Sequence, residues 1–330
     1  MTKPENSLKT GKKPPTPKEI TIQAESEKKN TFSSLAKEWF ALRVKEGRDP
    51  KTVARDESRV HRLILPFIGH MEMNEINAPL LLNVFRRIES KGVYETAHRT
   101  LNTCGQIFRY AIVKGDALRD PTADLRGALL TPKENHYPTI TDPKEIGALL
   151  RACDGYMGSE VVRIALLLLA YVFLRPGELR RMEWAEVDFD RCRWTIPAEK
   201  MKAKRIHIVP LASQAYDLLR QLHKLTGNGR YGFPSFQTHT GSSPMSDNTI
   251  NGALRRLGYG QEEFTGHGFR GMASTLLYEH EWPGDVIELQ LAHQERNKVK
   301  AAYNHAQYLG KRKEMMQWWA DYLDELKNEK

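Results

Sequence analysis

The longest apolar run in the chain is the segment 164–174, which lies between Arg163 and Arg175. A transmembrane helix needs roughly 20 apolar residues, so this run of 11 residues is too short to span a bilayer. A helix that is apolar on every side has to be covered by other elements. The run therefore predicts a buried helix inside a globular domain, and it excludes a membrane-spanning protein.

Helical periodicity and capping signals dominate the segment 31–131. Apolar residues recur there at helical spacing. Asp49 followed by Pro50 predicts the start of one helix, and Asn77 predicts the start of another. Gly115 stands where a helix should stop. This segment is therefore expected to be a compact helical domain.

The segments on either side have different compositions. Residues 1–30 are polar and rich in lysine, which predicts a disordered basic tail. The segment 132–143 contains X-Pro pairs that favour extended backbone, and it is expected to be a linker. Residues 144–330 then form a second domain, with a capping signal at its start.

One patch of the second domain departs from the helical pattern. Residues 192–197 and 206–211 are short and rich in strand-forming side chains, and the charged turn 200–205 separates them. They predict a small β-hairpin or sheet on a helical body. The expected fold class is therefore mainly α with a small β element.

Charge and cysteine usage narrow the function classes. Fifty Lys and Arg against 41 Asp and Glu give a net charge of +9 and a pI near 9.3. This balance favours an anionic partner such as nucleic acid. Cys104, Cys153 and Cys192 have neither disulfide nor metal-ligand spacing, which indicates a reducing cytoplasm.

Arginine and histidine pairs are the first candidates for chemistry. Arg175 follows the apolar run, and Glu178 lies three residues later. The pair is either a structural salt bridge or a phosphate-gripping guanidinium that a carboxylate orients. His267 and Arg270 share one face of a helical turn, so they can present a proton donor and a guanidinium to the same oxygens.

The remaining candidates are single residues with ordinary alternatives. Lys202 lies in the charged turn, where most lysines are merely solvated. His293 precedes Tyr303 by ten residues, and a lone Tyr on a helix is usually a residue at the edge of a core. The histidines lack close spacing on one face and have no Cys or carboxylate to complete a ligand set, so no metal or other cofactor is expected.

Taken together and in this order, these residues resemble the tyrosine recombinase (phage integrase) family, in particular the P4-like integrases of prophages and genomic islands. The resemblance is carried by the segments 174–179, 196–202, 267–270, 290–293, 301–306 and 315–323. It implies a two-domain clamp on DNA, with a helical SAM-like core-binding domain over 31–131 and a catalytic domain over 144–330. It also implies a site-specific recombinase that integrates or excises a mobile element.

The resemblance implies a mechanism without a metal. Tyr303 attacks the scissile phosphate and forms a 3′-phosphotyrosyl bond, which conserves the ester energy for rejoining. Arg175 and Arg270 clamp the phosphate oxygens. Lys202 protonates the departing 5′-hydroxyl, and His267 assists proton transfer at the nucleophile.

Two further roles come from the same resemblance. His293 is implied as a hydrogen-bond donor to the phosphate. Glu178 is implied as the carboxylate that holds Arg175 and His267 in place.

Neighbouring residues offer rivals for two of these roles. Tyr308 lies five residues after Tyr303, roughly 140° further round a helix, so the two cannot face one site; the family spacing selects Tyr303. Lys200 and Lys204 lie in the same turn as Lys202, which is chosen because it follows Met201 in the family string.

Alternative functions and partners follow from the same resemblance. A type IB topoisomerase-like relaxing enzyme and a DNA-binding regulator without activity are the other functions considered. The implied partners are double-stranded DNA with core-type attachment sites, a homotetramer on that DNA, and host DNA-bending factors, at the nucleoid. The C-terminal helix is a candidate for the contact between protomers. Many P4-like integrases begin with an arm-binding domain, and the short tail before Thr31 predicts that it is missing.

Overall fold

The computed structural model describes residues 30–132, 138–235, 242–293 and 308–329. The chain divides into two compact units, Met1–Glu134 and Asn135–Lys330. Both are helical apart from one small sheet in the second unit, so the predicted fold class is confirmed. In the described part of the chain, no helix is long and apolar enough to cross a membrane.

The first unit is built from helices whose ends follow the predicted capping signals. Its helices are α1 (Phe32–Lys45), α2 (Pro50–Leu63), α3 (Leu65–Ile68), α4 (Ala78–Glu89) and α5 (Tyr94–Lys114). The side chains of Asp49 and Asn77 each accept a hydrogen bond from the backbone N–H three residues on. Gly115 ends α5 with φ of 84°, a left-handed conformation that glycine adopts without a steric penalty.

Aromatic side chains form the centre of this first unit. Phe32, Phe85 and Phe108 are fully buried, and the ring centroids of Phe32 and Phe108 are 5.5 Å apart. The same packing leaves Arg86 and Arg87 exposed on α4. The unit therefore has a core of its own and a basic outer face on that helix.

The second unit surrounds the predicted buried helix. Its helices are α6 (Pro143–Asp154), α7 (Glu160–Val172), α8 (Pro176–Leu179), α9 (Ser213–Thr226), α10 (Thr249–Arg256), α11 (Gly268–Glu279), α12 (Gly284–Gln290) and α13 (Leu309–Asn328). Apart from Glu160 and Arg163, every residue of α7 is buried. Helices α6, α9, α10, α11 and α13 all contact it. The apolar run is thus the central helix of this unit.

A three-stranded antiparallel sheet lies on this helical body. Its strands are β1 (Val187–Asp188), β2 (Arg193–Ile196) and β3 (His207–Pro210), in the order β1-β2-β3. Strands β2 and β3 are the predicted hairpin, each shorter than the sequence pattern indicated. Strand β1 was not predicted, because two residues cannot display a strand period.

The C-terminal helix α13 packs against its own unit. Met315, Trp319 and Leu326 are buried there, and the indole N–H of Trp319 donates to the carbonyl of Ala170 at 3.0 Å. A contact between protomers through this helix stays a prediction. The face is already covered by α6 and α7, because it completes the core around the central helix.

Candidate active site

Arg175 lies where the central helix ends and α8 begins. Its backbone N–H donates to Glu178 Oε2 at 3.1 Å, and its Nη1 donates to Glu178 Oε1 at 2.8 Å. The Glu178 side chain is buried, whereas that of Arg175 is 26% exposed. A guanidinium has five N–H donors, and this ion pair uses one of them. Arg175 is therefore oriented by Glu178 and keeps donors for another anion.

Arg270 is the buried guanidinium of the site. Its Nη1 donates to the carbonyl of Phe173 at 2.8 Å, and its Nη2 donates to the carbonyl of Leu291 at 2.7 Å. Burial lowers the pKa of Arg270 to about 10, and the nearby charge of Arg175 acts in the same direction. The group stays protonated at neutral pH, so the site holds two positive charges that are close enough to interact.

Unusual backbone conformations aim the two carbonyls at Arg270. Phe173 has φ of 39°, and Ala292, directly after Leu291, has φ of 50°. Residues other than glycine rarely adopt this left-handed region, and they hold it only where surrounding structure fixes it. Both carbonyls that bind the Arg270 guanidinium thus lie at bends of the backbone, at Phe173 and at Leu291–Ala292.

His293 closes this arrangement from the end of α12. Its Nε2 lies 3.3 Å from Arg270 Nη2, and its Nδ1 lies 2.7 Å from Glu288 Oε2. Since a guanidinium can only donate, Nε2 must accept and Nδ1 must carry the proton toward Glu288. To donate to a phosphate, as the sequence predicts, Nε2 would have to carry a proton as well.

His267 lies directly before α11, three residues ahead of Arg270. Partial burial lowers the pKa of His267, and the charges of Arg270 and Arg175 lower it further, whereas Glu178 opposes them. The imidazole is therefore neutral at pH 7 and can accept a proton. The structure thus gathers five predicted side chains: Arg175, Glu178, His267, Arg270 and His293.

The lysines of the charged turn have distinct environments. Lys200 Nζ donates to the carbonyl of Arg181 at 3.1 Å and to Glu183 at 2.7 Å, and it also pairs with Glu186. Lys200 is therefore tied to acidic partners. Lys202, which follows the buried Met201, is exposed.

The two candidate nucleophiles differ in what the structure describes. Tyr303 lies outside the described residues. Tyr308 is 42% exposed, directly before α13, with φ of 43°. The assignment of Tyr303 as nucleophile stays a prediction.

Two polar residues of the site were missed in the sequence. His207 is 6% exposed, and the Arg312 side chain on α13 is 1% exposed. Burial lowers the pKa of His207 to about 3, with further contributions from the charges of Arg312, Arg270 and Arg175. The sequence offered one signal for His207: it stands in the apolar strand β3, on the same face as the buried Val209.

The chain is similar to known proteins over most of its length. Two family descriptions match the chain, the phage integrase central domain over residues 32–128 and the phage integrase family over residues 139–309. The integrase of Shigella phage Sf6 is 40% identical over 311 residues, covering 93% of this chain and 78% of that protein. The integrase of Enterobacteria phage P4 is 38% identical over 333 residues, covering 94% and 74%. The chain therefore belongs to the phage integrase family, and its catalytic class is that of the tyrosine recombinases.

A solved structure supports the fold independently. The chain is similar to a lambda integrase described as a tetramer bound to a Holliday junction, with a TM-score of 0.66 and 16% identity. The match covers 87% of this chain and 82% of that one. In the described residues, no group of three His, Cys, Asp or Glu side chains is arranged to hold a metal ion.

Proposed function

We propose that this recombinase cleaves and rejoins duplex DNA through a 3′-phosphotyrosyl intermediate at Tyr303, and thereby integrates or excises a mobile element. The observation that carries the proposal is the pair of guanidiniums, Arg175 and Arg270, held beside two histidines. Phosphoryl transfer depends on positioning and on stabilising charge at the phosphate oxygens. Two fixed positive charges in a partly buried site suit that requirement.

Residues of this chain can supply every proton transfer that the cleavage step needs. The Tyr303 oxygen attacks the phosphorus, and the bond from phosphorus to the 5′-oxygen breaks. The neutral imidazole of His267 takes the phenolic proton, and Lys202 gives a proton to the departing 5′-oxygen. Rejoining reverses each transfer, so no external energy source is consumed.

Different groups hold the two guanidiniums in place. Glu178 orients Arg175 from one side and leaves its other donors for the phosphate. Backbone carbonyls hold Arg270 without neutralising it. His293 reaches the phosphate when it gives up its contact with Arg270 Nη2.

The nucleophile can be tested with a nicked suicide substrate, from which a cleaved strand diffuses away and traps the covalent complex. We expect trapping in the parent and in Tyr308→Phe, but not in Tyr303→Phe. Tyr308→Phe is a matched control, since it removes the same hydroxyl five residues further on. Equal trapping in parent and Tyr303→Phe would refute the assignment, and loss only in Tyr308→Phe would transfer it to Tyr308.

The general acid can be tested with a sulfur-substituted substrate. A 5′-thiolate leaves without a proton, since thiols are far more acidic than alcohols. Lys202→Ala should cut an ordinary substrate slowly and a substrate with sulfur at the 5′-bridging position at nearly the parent rate. Lys204→Ala is the matched control and should cut both normally. If the sulfur-substituted substrate does not restore cleavage by Lys202→Ala, Lys202 is excluded as the general acid.

The DNA partner is proposed to be duplex DNA with core-type attachment sites. The net charge of +9 and the exposed arginines of α4 support binding to a phosphate backbone. We assign DNA binding to residues 31–131 and the chemistry to residues 144–330. Exchange between two duplexes requires four nucleophiles, so we propose a homotetramer on DNA at the nucleoid, with host DNA-bending factors as helpers. Cross-linking with and without core-site DNA should give tetramers only with DNA.

A further inference from the structure

Arg312 is a buried cation without a carboxylate partner among the described residues. Its Nε and Nη2 donate to Gln290 Oε1 at 3.1 and 2.7 Å, and Nη2 also donates to the carbonyl of Ile208. Burial lowers the pKa of Arg312 to about 10, so the group stays charged at neutral pH. A full positive charge is thus held inside the second unit by neutral oxygens.

This arrangement is a poor way to stabilise a core. Gln290 is fully buried, and its Nε2 has no hydrogen-bond partner in the part of the chain that the structure describes. Buried polar pairs can often be replaced by apolar side chains of similar size without loss of stability. Stability therefore does not account for the Arg312–Gln290 pair.

The pair does fix one end of the turn that carries His293. Gln290 is the last residue of α12, and the carbonyl of Leu291 and the ring of His293 both contact Arg270. The ring of His207 hydrogen-bonds to the backbone of Gln290. Gln290 is thus held through its side chain by Arg312 and through its backbone by β3.

We propose that Arg312 and Gln290 are positioning residues of the active site. They hold the turn 290–293, so that the Leu291 carbonyl keeps Arg270 in the orientation that grips the phosphate and His293 stays beside it. The inference rests on the proposed roles of Arg270 and His293. Arg312 does not touch the phosphate; it acts through Gln290.

The test replaces the polar pair by an apolar one. The double variant Arg312→Met/Gln290→Leu keeps side chains of similar size and removes the buried charge together with the unpaired Gln290 Nε2. Arg151→Met is the matched control, because Arg151 Nη1 donates to the carbonyls of Leu326, Lys327 and Glu329 at the other end of α13. It loosens the same helix without touching the turn. Urea unfolding, affinity for core-site DNA and single-turnover cleavage are measured for the full chain.

We expect the double variant to fold and to bind DNA within roughly threefold of the parent, since the phosphate backbone dominates affinity. Its cleavage should be at least tenfold slower, and up to about 100-fold slower, as small displacements in an active site cause. Arg151→Met should cleave at the parent rate. Parental cleavage by the double variant, or equal slowing in both variants, would overturn the proposal. If the double variant does not fold, Arg312→Lys replaces it: it should slow cleavage while binding DNA normally, and a parental rate counts against the proposal.

A second measurement does not depend on cleavage. The imidazole NMR signals of His293, assigned by their loss in His293→Ala, should move in the double variant and stay in place in Arg151→Met. Unchanged His293 signals in the double variant would contradict the inference whatever the enzyme does to DNA. Absence of any covalent complex in the parent would instead refute the proposed function, and the NMR result would still decide the positioning role.

Discussion

The buried histidine His207 should make the stability of the second unit depend on pH. Its folded pKa, about 3, is well below the ordinary value of 6.5, so the folded protein keeps the ring neutral while the unfolded chain binds a proton. The resulting stability is present above pH 6.5 and is lost as the pH falls toward the folded pKa. Each pH unit in this window corresponds to about 1.4 kcal/mol. Acidification from about pH 7 to about pH 5 should therefore remove about 2 kcal/mol through this one group.

The assay compares the parent with His207→Asn, whose amide can still donate to the Gln290 carbonyl but does not titrate. Urea unfolding is followed by tryptophan fluorescence, which reports mainly on the second unit because every tryptophan except Trp39 lies there. The free energy of unfolding should fall by about 2 kcal/mol less in His207→Asn than in the parent. The exposed His61→Asn is the control and should behave like the parent. An identical loss in parent and His207→Asn would show that His207 takes up a proton in the folded state.

Two glycine substitutions, one arginine substitution and the removal of metal ions test the packing of α13 and the charge of the site. Gly147→Ala places a methyl group 2.3 Å from the Leu326 carbonyl and should lower the free energy of urea unfolding by roughly 1–3 kcal/mol. Gly252→Ala, which has open space around it, should leave this free energy unchanged or raise it. Equal effects of the two substitutions would refute the packing of α13. Arg175→Ala should keep core-site affinity in a gel-shift assay but suppress covalent trapping, and a collapse of binding would make Arg175 a DNA anchor instead. Covalent trapping by the parent should persist in excess EDTA, because guanidiniums supply the positive charge that stabilises the phosphate. Loss of trapping in EDTA would show that a metal ion is needed.

Local signals explain the parts of the fold that the sequence predicted well. Asp49, Asn77 and Gly115 act on the backbone within four residues of themselves, so their effects can be read along the chain. The central helix was equally clear, since a run that is apolar on every side has to be buried. The short strand β1 lacked such a signal and depended on pairing with β2.

The parts of the site that were missed depend on contacts between distant residues. Arg312 and Ile208 are 104 positions apart in the chain, and a buried arginine on α13 looks like a solvated one in the sequence. The tie between Lys200 and its acidic partners is equally invisible there, although it removes one rival of Lys202. The family resemblance selected the candidate site residues, but it did not indicate what holds each of them.

The partners of the two buried arginines explain how the site keeps its charge. A carboxylate hydrogen-bonded to Arg270 or Arg312 would cancel the positive charge of that guanidinium and repel a phosphate. Backbone carbonyls and an amide orient the guanidiniums and leave the charge in place. Only Arg175, the more exposed of the three, has an ion pair, and the buried Glu178 lies on one side of it. Under the proposed mechanism, the site therefore keeps an oriented positive charge for the scissile phosphate.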